Sequence, residues 1–408
     1  MNRKNLYLVP LALISSACQQ PAEVSETADA QRIAETSIIV DTHIDVPLKQ
    51  LREFTDLTVS AEAFDFDAPR ARAGALNGAF MSIYTPAAME AEGSSYETAE
   101  KLIDAVERMA ADAPETYAVA RSVADIRQQF EDGLISLPMG MENGSPIDGD
   151  LANLQHFHDR GIRYITLAHS LSNHISDSSY DENRQWNGLS EFGIEVVREM
   201  NRLGIMVDIS HVSDDAFWQV LEISAVPVIA SHSSARHFTP GWERNMSDDM
   251  IRALGDTGGV IQINYGSSFL TEVAYEYGTK YFAASGAWAA EHPEEVTADM
   301  RKAFRAQYEA ENGAFPFASL DDVLDHIDHV VSLAGIDHVG IGSDYDGVGD
   351  SLPTGLKDVA SYPNLVEGLL DRGYSEQDIR KILGENLLRV WSAAEAFAAQ
   401  AATTSSNT

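Results

Sequence analysis

Histidine and acidic residues stand at the ends of several short apolar segments of the chain. Residues 37–41 (SIIVD) are short and β-branched, which predicts a buried strand, and His43 and Asp45 follow directly. Because strand side chains alternate between faces, His43 and Asp45 are expected to point to the same side. An imidazole and a carboxylate so placed can bind a divalent metal. Five other segments end in a similar way, with Glu142, His169, His211, His232 and Asp344.

Taken singly, each of these residues also fits a helix cap or a turn, as Asp344 does in the segment SDYDG. Six strand ends that all carry a metal-capable side chain are harder to explain in that way. The other histidines do not follow a predicted strand and are interpreted as structural: His156, His158, His174, His237, His292, His326, His329 and His338.

The elements that must position these residues alternate between strand and helix. Such alternation predicts parallel strands joined by helical crossovers. An α/β fold of the (β/α)8 barrel type is favoured, with the candidate residues gathered at the carboxyl ends of the strands. An open, doubly wound sheet is the alternative, but the first strand is not followed by GxGxxG. The eight strands are predicted near Ile38, Ala79, Ile135, Ile165, Met206, Val228, Ile261 and Gly340.

Composition and charge limit the function classes. With 408 residues and 44% hydrophobic content the chain can bury a large core, and a barrel can use this length as one domain. The 28 basic and 63 acidic residues give a net charge of −35, which argues against nucleic acid and anionic membrane surfaces as partners. Residues 31–397 are assigned to the barrel, and 398–408, rich in Ala, Thr and Ser, to a flexible tail.

The amino terminus has the pattern of a secretory signal. Arg3 and Lys4 precede an apolar run over residues 6–14, too short to cross a membrane. The sole cysteine, Cys18, closes this segment, as in a bacterial lipoprotein signal, whereas plain cleavage after Ala17 is the alternative because Ser15 replaces the usual aliphatic residue. We therefore expect a signal peptide over 1–18, a polar tether over 19–30, and an exported protein of the periplasm or cell envelope that is lipid-anchored through Cys18.

A set of ordered motifs covers nearly the whole predicted mature chain. They are VDTHIDVP at 40–47, RAGALNGAFMSIYTP at 72–86, MENG at 141–144, RYITLAHS at 163–170, VDISHVSD at 207–214, IASHSSAR at 229–236, RNMSDDM at 244–250, LDHIDHVVSLAGIDHVGIGSDYDGV at 324–348 and GENLLRVW at 384–391. In these motifs the sequence resembles the renal (membrane) dipeptidase family, zinc-dependent dipeptidases of the amidohydrolase-like barrel group.

The resemblance implies two zinc ions per chain. It assigns His43 and Asp45 to the first ion, His211 and His232 to the second, and Glu142 to a bridge between them. Paired zinc ions can share a hydroxide that is available near neutral pH. Other barrels of the broader group commonly begin His-x-His and use a modified lysine as the bridge, so Asp45 and Glu142 favour the dipeptidase branch.

The resemblance also implies roles around the metals. Asp344 would transfer the proton from water to the leaving amine, and His169 would stabilise the oxyanion. Arg244 would bind the free carboxylate of the substrate, since a guanidinium can do so with two parallel hydrogen bonds. Arg236 is the weaker candidate for that role. Residues 270–317 match the family poorly and are expected to be a helical insertion.

The resemblance implies hydrolysis of dipeptides, with cleavage of L,D-dipeptides and of β-lactams as possible side activities. It also implies a homodimer. One alternative is another binuclear metal-dependent amide or lactone hydrolase. The second is a non-catalytic envelope binding protein, against which the complete set of metal ligands argues.

Overall fold

A computed structural model describes residues 23–292 and 296–405 of the chain. The predicted signal peptide and Cys18 lie outside these ranges. The strands are β1 Ile39–Ile44, β2 Leu76–Tyr84, β3 Tyr117–Ala118, β4 Ile135–Ser136, β5 Met139–Glu142, β6 Ile162–Thr166, β7 Met206–Asp208, β8 Ile229–Ser233, β9 Val260–Ile263 and β10 Val339–Ile341.

Helices connect these strands and cover the outside of the sheet. The α-helices are α1 Glu23–Glu35, α2 Val46–Arg52, α3 Ala68–Ala73, α4 Ala88–Glu92, α5 Ser95–Asp112, α6 Val123–Glu131, α7 Ala152–Asp159, α8 Glu191–Leu203, α9 Asp214–Ile223, α10 Asp248–Asp256, α11 Ser267–Leu270, α12 Glu272–Ala290, α13 Ala298–Asn312, α14 Leu320–Ala334, α15 Tyr362–Asp371, α16 Glu376–Arg380 and α17 Asn386–Ser405. Short 3-10 helices span Ser145–Ile147, Arg236–Phe238, Ile336–His338 and Val359–Ser361, and a π-helix spans Lys381–Glu385.

Eight of the strands close into a parallel barrel, which confirms the predicted fold class. The order around the barrel is β1, β2, β5, β6, β7, β8, β9 and β10, and β10 pairs with β1 at Asp41 and Ile341. The carboxyl ends of parallel strands meet on one face of such a barrel, where loops can gather side chains from every strand.

The third barrel strand differs from the prediction near Ile135. That residue lies in β4, which pairs with the lower part of β2, whereas the barrel wall at this position is β5, Met139–Glu142. Pro138, which has no N–H to donate, separates β4 from β5, although its carbonyl accepts from the Met81 N–H at 2.8 Å. The shift makes Glu142 the last residue of a barrel strand.

Serine caps fix where several crossover helices begin. The hydroxyl of the capping residue accepts a hydrogen bond from a backbone N–H in the first turn, which satisfies one of the free donors there. Ser247 begins α10 in this way, and the same arrangement begins α8, α9, α14 and α16 at Ser190, Ser213, Ser319 and Ser375.

Helix α17 packs against the aromatic interior of the barrel. Trp391 of α17 lies 5.4 Å from the Phe80 ring, and Phe80 lies 5.3 Å from the Tyr164 ring, measured between ring centroids. All three side chains are fully buried. They form a column, here called the aromatic column, that runs from the last helix into the barrel.

The two ends of the described chain are helical. The segment 19–30, expected to be a polar tether, is helical from Glu23 onward, because Ala30, Ile33 and Ala34 bury an apolar face of α1 against the core. The segment 398–408, expected to be a flexible tail, continues helix α17 as far as Ser405. Within residues 23–292 and 296–405, no helix combines the length and apolarity needed to cross a bilayer.

Candidate metal centre and active-site cleft

The barrel brings all seven candidate residues to the carboxyl ends of its strands. His43 and His232 lie within β1 and β8, and Glu142 ends β5. The others lie in the segments that follow a strand. Three overlapping groups have potential ligand atoms within 4.8 Å of one another: His43, Asp45 and Asp344; His43, Glu142 and His232; Glu142, His169 and His211.

Glu142 is the centre of this cluster. Its Oε2 atom lies 3.3 Å from the Nε2 atom of His43, and its Oε1 atom lies 3.1 Å and 3.3 Å from the Nε2 atoms of His211 and His232. The hydroxyl of Ser82 donates to Oε2 at 3.1 Å. The Glu142 carboxylate therefore lies between imidazole nitrogens on two sides, with His43 at one oxygen and His211 and His232 at the other.

A tyrosine fixes the tautomer of His43. The Tyr164 hydroxyl donates its proton to the carbonyl of Thr42 at 3.0 Å, so its oxygen must accept at 2.9 Å from the Nδ1–H group of His43. Burial raises the pKa of Tyr164, which keeps that proton in place. The Nδ1 atom of His43 is thereby held as a donor, which leaves Nε2, the atom that faces Glu142, as the nitrogen that can bind a metal.

A serine and an aspartate do the same for His232. The Ser231 hydroxyl donates to Asp208 at 2.6 Å, so it accepts at 2.7 Å from the Nδ1–H group of His232. Asp208 also accepts from the backbone N–H groups of Ser210 and Ser231. The Nε2 atom of His232 therefore also faces Glu142 with a lone pair. Such outer partners orient histidine ligands in metal sites.

The electrostatics favour the protonation states that metal ligands need. Burial and the positive charge of Arg244 hold the pKa of His211 well below the ordinary value. Burial and the positive charge of His43 do the same to the pKa of His232. Burial alone would raise the pKa of Glu142, but His43 and His169 hold it well below the usual range. Two neutral imidazoles thus face an ionised carboxylate.

His43 and Asp344 respond to the same negative charge. Burial disfavours a charged His43, but the potential of Tyr164, Glu142 and Asp45 raises its pKa well above the ordinary value. Burial, reinforced by Asp45 and Glu142, raises the pKa of Asp344 well above its usual range. Both shifts indicate that the cluster attracts positive charge.

The two candidate arginines have different surroundings. Arg244 is buried, donates to the Ser233 hydroxyl at 2.7 Å and to the His232 carbonyl at 2.8 Å, and lies over the Phe269 ring at 5.2 Å. Arg236 instead forms a two-pronged ion pair with Asp214, at 2.7 and 2.6 Å. Arg244 is therefore adjacent to the cluster, whereas Arg236 is engaged on the neighbouring helix α9.

The cluster opens into a cleft with a volume of about 410 Å³. His169 lines it, with Nε2 3.4 Å from the Oε1 atom of Glu142 and a ring centroid 4.7 Å from that of Tyr84. Asp344 also lines it and accepts from the Asn264 amide at 2.8 Å. The cleft is therefore large enough for a small molecule to reach Glu142, His169 and Asp344 together.

Three of the cleft residues have unusual backbone conformations. His211, Asp344 and Asp346 have φ of 68°, 62° and 66°, in the left-handed region that non-glycine residues rarely adopt. Residues held in this way are concentrated at functional sites, where the surroundings compensate for the strain.

Sequence reasoning missed the residues that support the histidines. Tyr164, Ser231 and Asp208 lie within motifs, yet their types alone did not indicate a role. Of these, Tyr164 could have been identified from the sequence, because a tyrosine inside an apolar strand needs a hydrogen-bond partner for its hydroxyl. The partly exposed group of His237, Asp248 and His329 also brings its ligand atoms within 4.8 Å, a juxtaposition that the sequence did not suggest.

These residues fit a bound metal. The Nε2 atom of His43 and the Oδ1 atom of Asp45 are buried without a hydrogen-bond partner, and both belong to groups able to coordinate a cation. Imidazole and carboxylate donors suit zinc and similar divalent ions. A closed parallel barrel with this donor set at the ends of its strands defines a metal-dependent barrel hydrolase.

Comparison with known proteins identifies the family. The family model for membrane dipeptidases (peptidase family M19) matches residues 27–405. The chain is similar to an uncharacterized dipeptidase of Schizosaccharomyces pombe, with 33% identity over 88% of this chain and 81% of the relative. The chain belongs to the membrane dipeptidase family, and it is a metallo-dipeptidase.

Solved structures agree with this assignment. The chain is similar to the probable dipeptidase PvdM from Pseudomonas aeruginosa, at 27% identity and a TM-score of 0.79, over 92% of this chain and 100% of that one. It is also similar to a Rhodobacter sphaeroides metallopeptidase liganded with a phosphinate mimic of L-Ala-D-Ala, at 26% identity and a TM-score of 0.71, over 88% and 99% of the chains. The predicted family, fold and enzyme class are confirmed.

Proposed function

We propose that this dipeptidase uses two zinc ions, held on either side of Glu142. His43 and Asp45 would hold one ion, His211 and His232 would hold the other, and Glu142 would be a ligand of both. The observation that carries this assignment is the position of the Glu142 carboxylate, with one oxygen 3.3 Å from His43 and the other 3.1 and 3.3 Å from His211 and His232. The hydrogen bonds that hold Nδ1 of His43 and His232 support it, since in both residues they leave Nε2, the atom that faces this carboxylate, to bind a metal.

Bound zinc would supply the Lewis acidity that polarises a carbonyl and makes water nucleophilic near neutral pH. The residues of the chain perform the remaining tasks. Asp344, oriented by the Asn264 amide, accepts the proton of the attacking water and returns one to the leaving amine. His169 lies beside Glu142 and stabilises negative charge that develops on the carbonyl oxygen.

Arg244 binds the free carboxylate of the substrate. Its guanidinium is held by the Ser233 hydroxyl and the His232 carbonyl, while its Nε atom is buried without a hydrogen-bond partner. A preorganised cation that is hydrogen-bonded to the backbone of a metal ligand fixes the distance between the scissile bond and the carboxylate terminus. This arrangement selects dipeptides over longer chains.

The substrates are dipeptides, and L,D-dipeptides are among them. The support is the Rhodobacter sphaeroides relative, which is described with a mimic of L-Ala-D-Ala bound. The protein is proposed to be exported to the cell envelope, anchored by lipid on Cys18 and assembled as a homodimer. Metabolic labelling with a palmitate analogue, lost in Cys18→Ala, and sedimentation of the purified protein test these last two points.

The metal assignment is tested by metal analysis of the purified protein beside hydrolysis of Ala-Ala in its L,L and L,D forms. We expect two zinc ions per chain, activity that is lost on chelation and regained with zinc, and inactivity of Glu142→Gln. Glu97→Gln, on the exposed face of α5, is the matched control and should keep full activity and metal content.

Other outcomes separate the alternatives. One ion per active chain would contradict the bridging role of Glu142. Two ions with turnover of a lactone but of no dipeptide would move the substrate to the other hydrolase class. Absence of bound metal after zinc loading would overturn the mechanism.

A further inference from the structure

A second cavity, here called the aromatic cavity, adjoins the active-site cleft. It has a volume of about 660 Å³, against about 410 Å³ for the cleft. Tyr180, Phe269, Gly347 and Val348 line both spaces, so the two share a wall. The wall of the aromatic cavity is dominated by six further aromatic side chains: Trp242, Tyr275, Tyr277, Tyr281, Phe282 and Phe315.

The helical hairpin formed by α12 and α13 supplies the outer wall of this cavity. Tyr277 and Tyr281 of α12 pack on Tyr308 of α13, with ring centroids 5.6 and 5.3 Å apart. The Tyr277 hydroxyl also donates to the Gly313 carbonyl at 2.8 Å. These contacts hold the hairpin together as a unit that faces the aromatic cavity. The hairpin coincides with the segment that matches the family motifs poorly.

Phe282 of α12 lines the aromatic cavity, yet 73% of its surface is exposed to solvent. An exposed phenylalanine in a cavity wall gains free energy when an apolar group covers it. The charged residues at the cavity are already engaged, because Arg305 pairs with Glu309 at 3.0 Å and with Asp350 at 3.4 Å. The cavity therefore suits an apolar group better than a charged one.

Arg244 determines which part of a substrate reaches the cavity. Its guanidinium lies 5.2 Å from the centre of the Phe269 ring, and Phe269 belongs to the shared wall of cleft and cavity. Trp242 continues this wall, 4.9 Å from Phe269 and stacked on Tyr275 at 4.6 Å. A residue whose carboxylate is bound by Arg244 thus has its side chain next to the entrance of the aromatic cavity.

We propose that the aromatic cavity binds a large apolar or aromatic side chain on the carboxyl-terminal residue of the dipeptide. This inference rests on the proposed function, in particular on Arg244 as the carboxylate site. An alanine side chain is too short to reach the wall at Phe282, whereas a phenylalanine ring can stack on the tyrosines that line the cavity. The preferred substrates are therefore dipeptides that end in an aromatic or bulky aliphatic residue.

The test compares kcat/KM of the zinc-loaded enzyme for Ala-Ala, Ala-Phe and Phe-Ala, the first two in L,L and L,D forms. We expect Ala-Phe to exceed both other substrates by about tenfold or more, which is the range that filling an apolar pocket gives. In Phe282→Ser the value for Ala-Phe should fall several-fold, while that for Ala-Ala stays unchanged. Val273→Ser, an exposed residue of the same helix outside the cavity lining, is the matched control and should change neither value.

The outcomes distinguish this inference from the proposed function. If no dipeptide is cleaved, the proposed function fails and this inference with it. If Ala-Ala is cleaved but Ala-Phe is not preferred, or Phe282→Ser lowers both equally, only the aromatic-cavity assignment is overturned. A dimer that Phe282→Ser dissociates without any change in turnover would assign the cavity to a second copy of the chain, and would also overturn it.

Discussion

Replacing His326 by glutamine should make the stability of the protein less sensitive to acid. His326 lies on α14 and is completely buried. Its Nδ1 atom accepts from the Ala235 N–H at 3.0 Å, and its Nε2–H group donates to the Leu270 carbonyl at 3.0 Å. This single ring therefore joins the segment that leads to Arg236 to the end of α11, which carries Phe269. Both bonds require the neutral imidazole, because a protonated Nδ1 cannot accept.

The magnitude follows from the pKa. Burial lowers the pKa of His326 to about 4, whereas a histidine in an unfolded chain titrates near pH 6.5. Between these values the unfolded chain binds more protons than the folded protein, so stability falls as the pH falls. Linkage gives a loss of about 2 kcal/mol at pH 5 and about 3 kcal/mol at pH 4, relative to pH 7.5. The contribution is fully present above pH 6.5.

Urea unfolding at pH 7.5 and pH 5.0 measures this effect. Wild type and His326→Gln are compared after chelation, so that metal release in acid affects neither. The variant has a lower free energy of unfolding at pH 7.5. On going to pH 5.0, however, this free energy should fall by about 2 kcal/mol less than it does in wild type. His156→Gln, at a partly exposed histidine of α7, should keep the wild-type loss. Equal losses in wild type and His326→Gln would refute the reasoning.

Three further changes test zinc affinity, packing inside the barrel and substrate binding. Tyr164→Phe removes the acceptor that fixes His43, so zinc affinity measured by chelator competition should fall about 10–100-fold with the fold intact. In Gly140→Ala the new Cβ would lie 1.9 Å from the Tyr164 ring, so the melting temperature should drop by several degrees, corresponding to about 1–3 kcal/mol, whereas Gly286→Ala meets no atom within 4 Å and should not lower it. Arg244→Lys cannot form the two-pronged contact, so KM for dipeptides should rise about 10–100-fold with a smaller change in kcat.

The strand ends could be read from the sequence because the pattern there is local. A short β-branched run followed by His or Asp identified β1, β6, β7, β8 and β10, and the barrel then placed their ends together. The third strand was misplaced because residues 134–139 are apolar on both sides of Pro138. Apolar content alone does not reveal which half joins the barrel wall, and only the pairing of Met139 with Ile162 decides it.

The supporting contacts could not be read from the sequence because they depend on long-range geometry. Tyr164 reaches His43 across 121 positions, and Asn264 reaches Asp344 across 80. Their spacing carries no signal until the barrel is closed. The aromatic cavity is similar: the sequence predicted a helical insertion, but not that its tyrosines and Phe282 would line a cavity beside the cleft.

The aromatic column has a consequence for how the protein is made. His43, near the start of the barrel, is oriented by Tyr164, which packs on Phe80, which in turn packs on Trp391 of the last helix. Asp344 follows the strand that closes the barrel against β1. In a growing chain, the support that His43 receives through this column is therefore complete only when the final helix has been made. We expect the affinity for metal to reach its full value only at that stage.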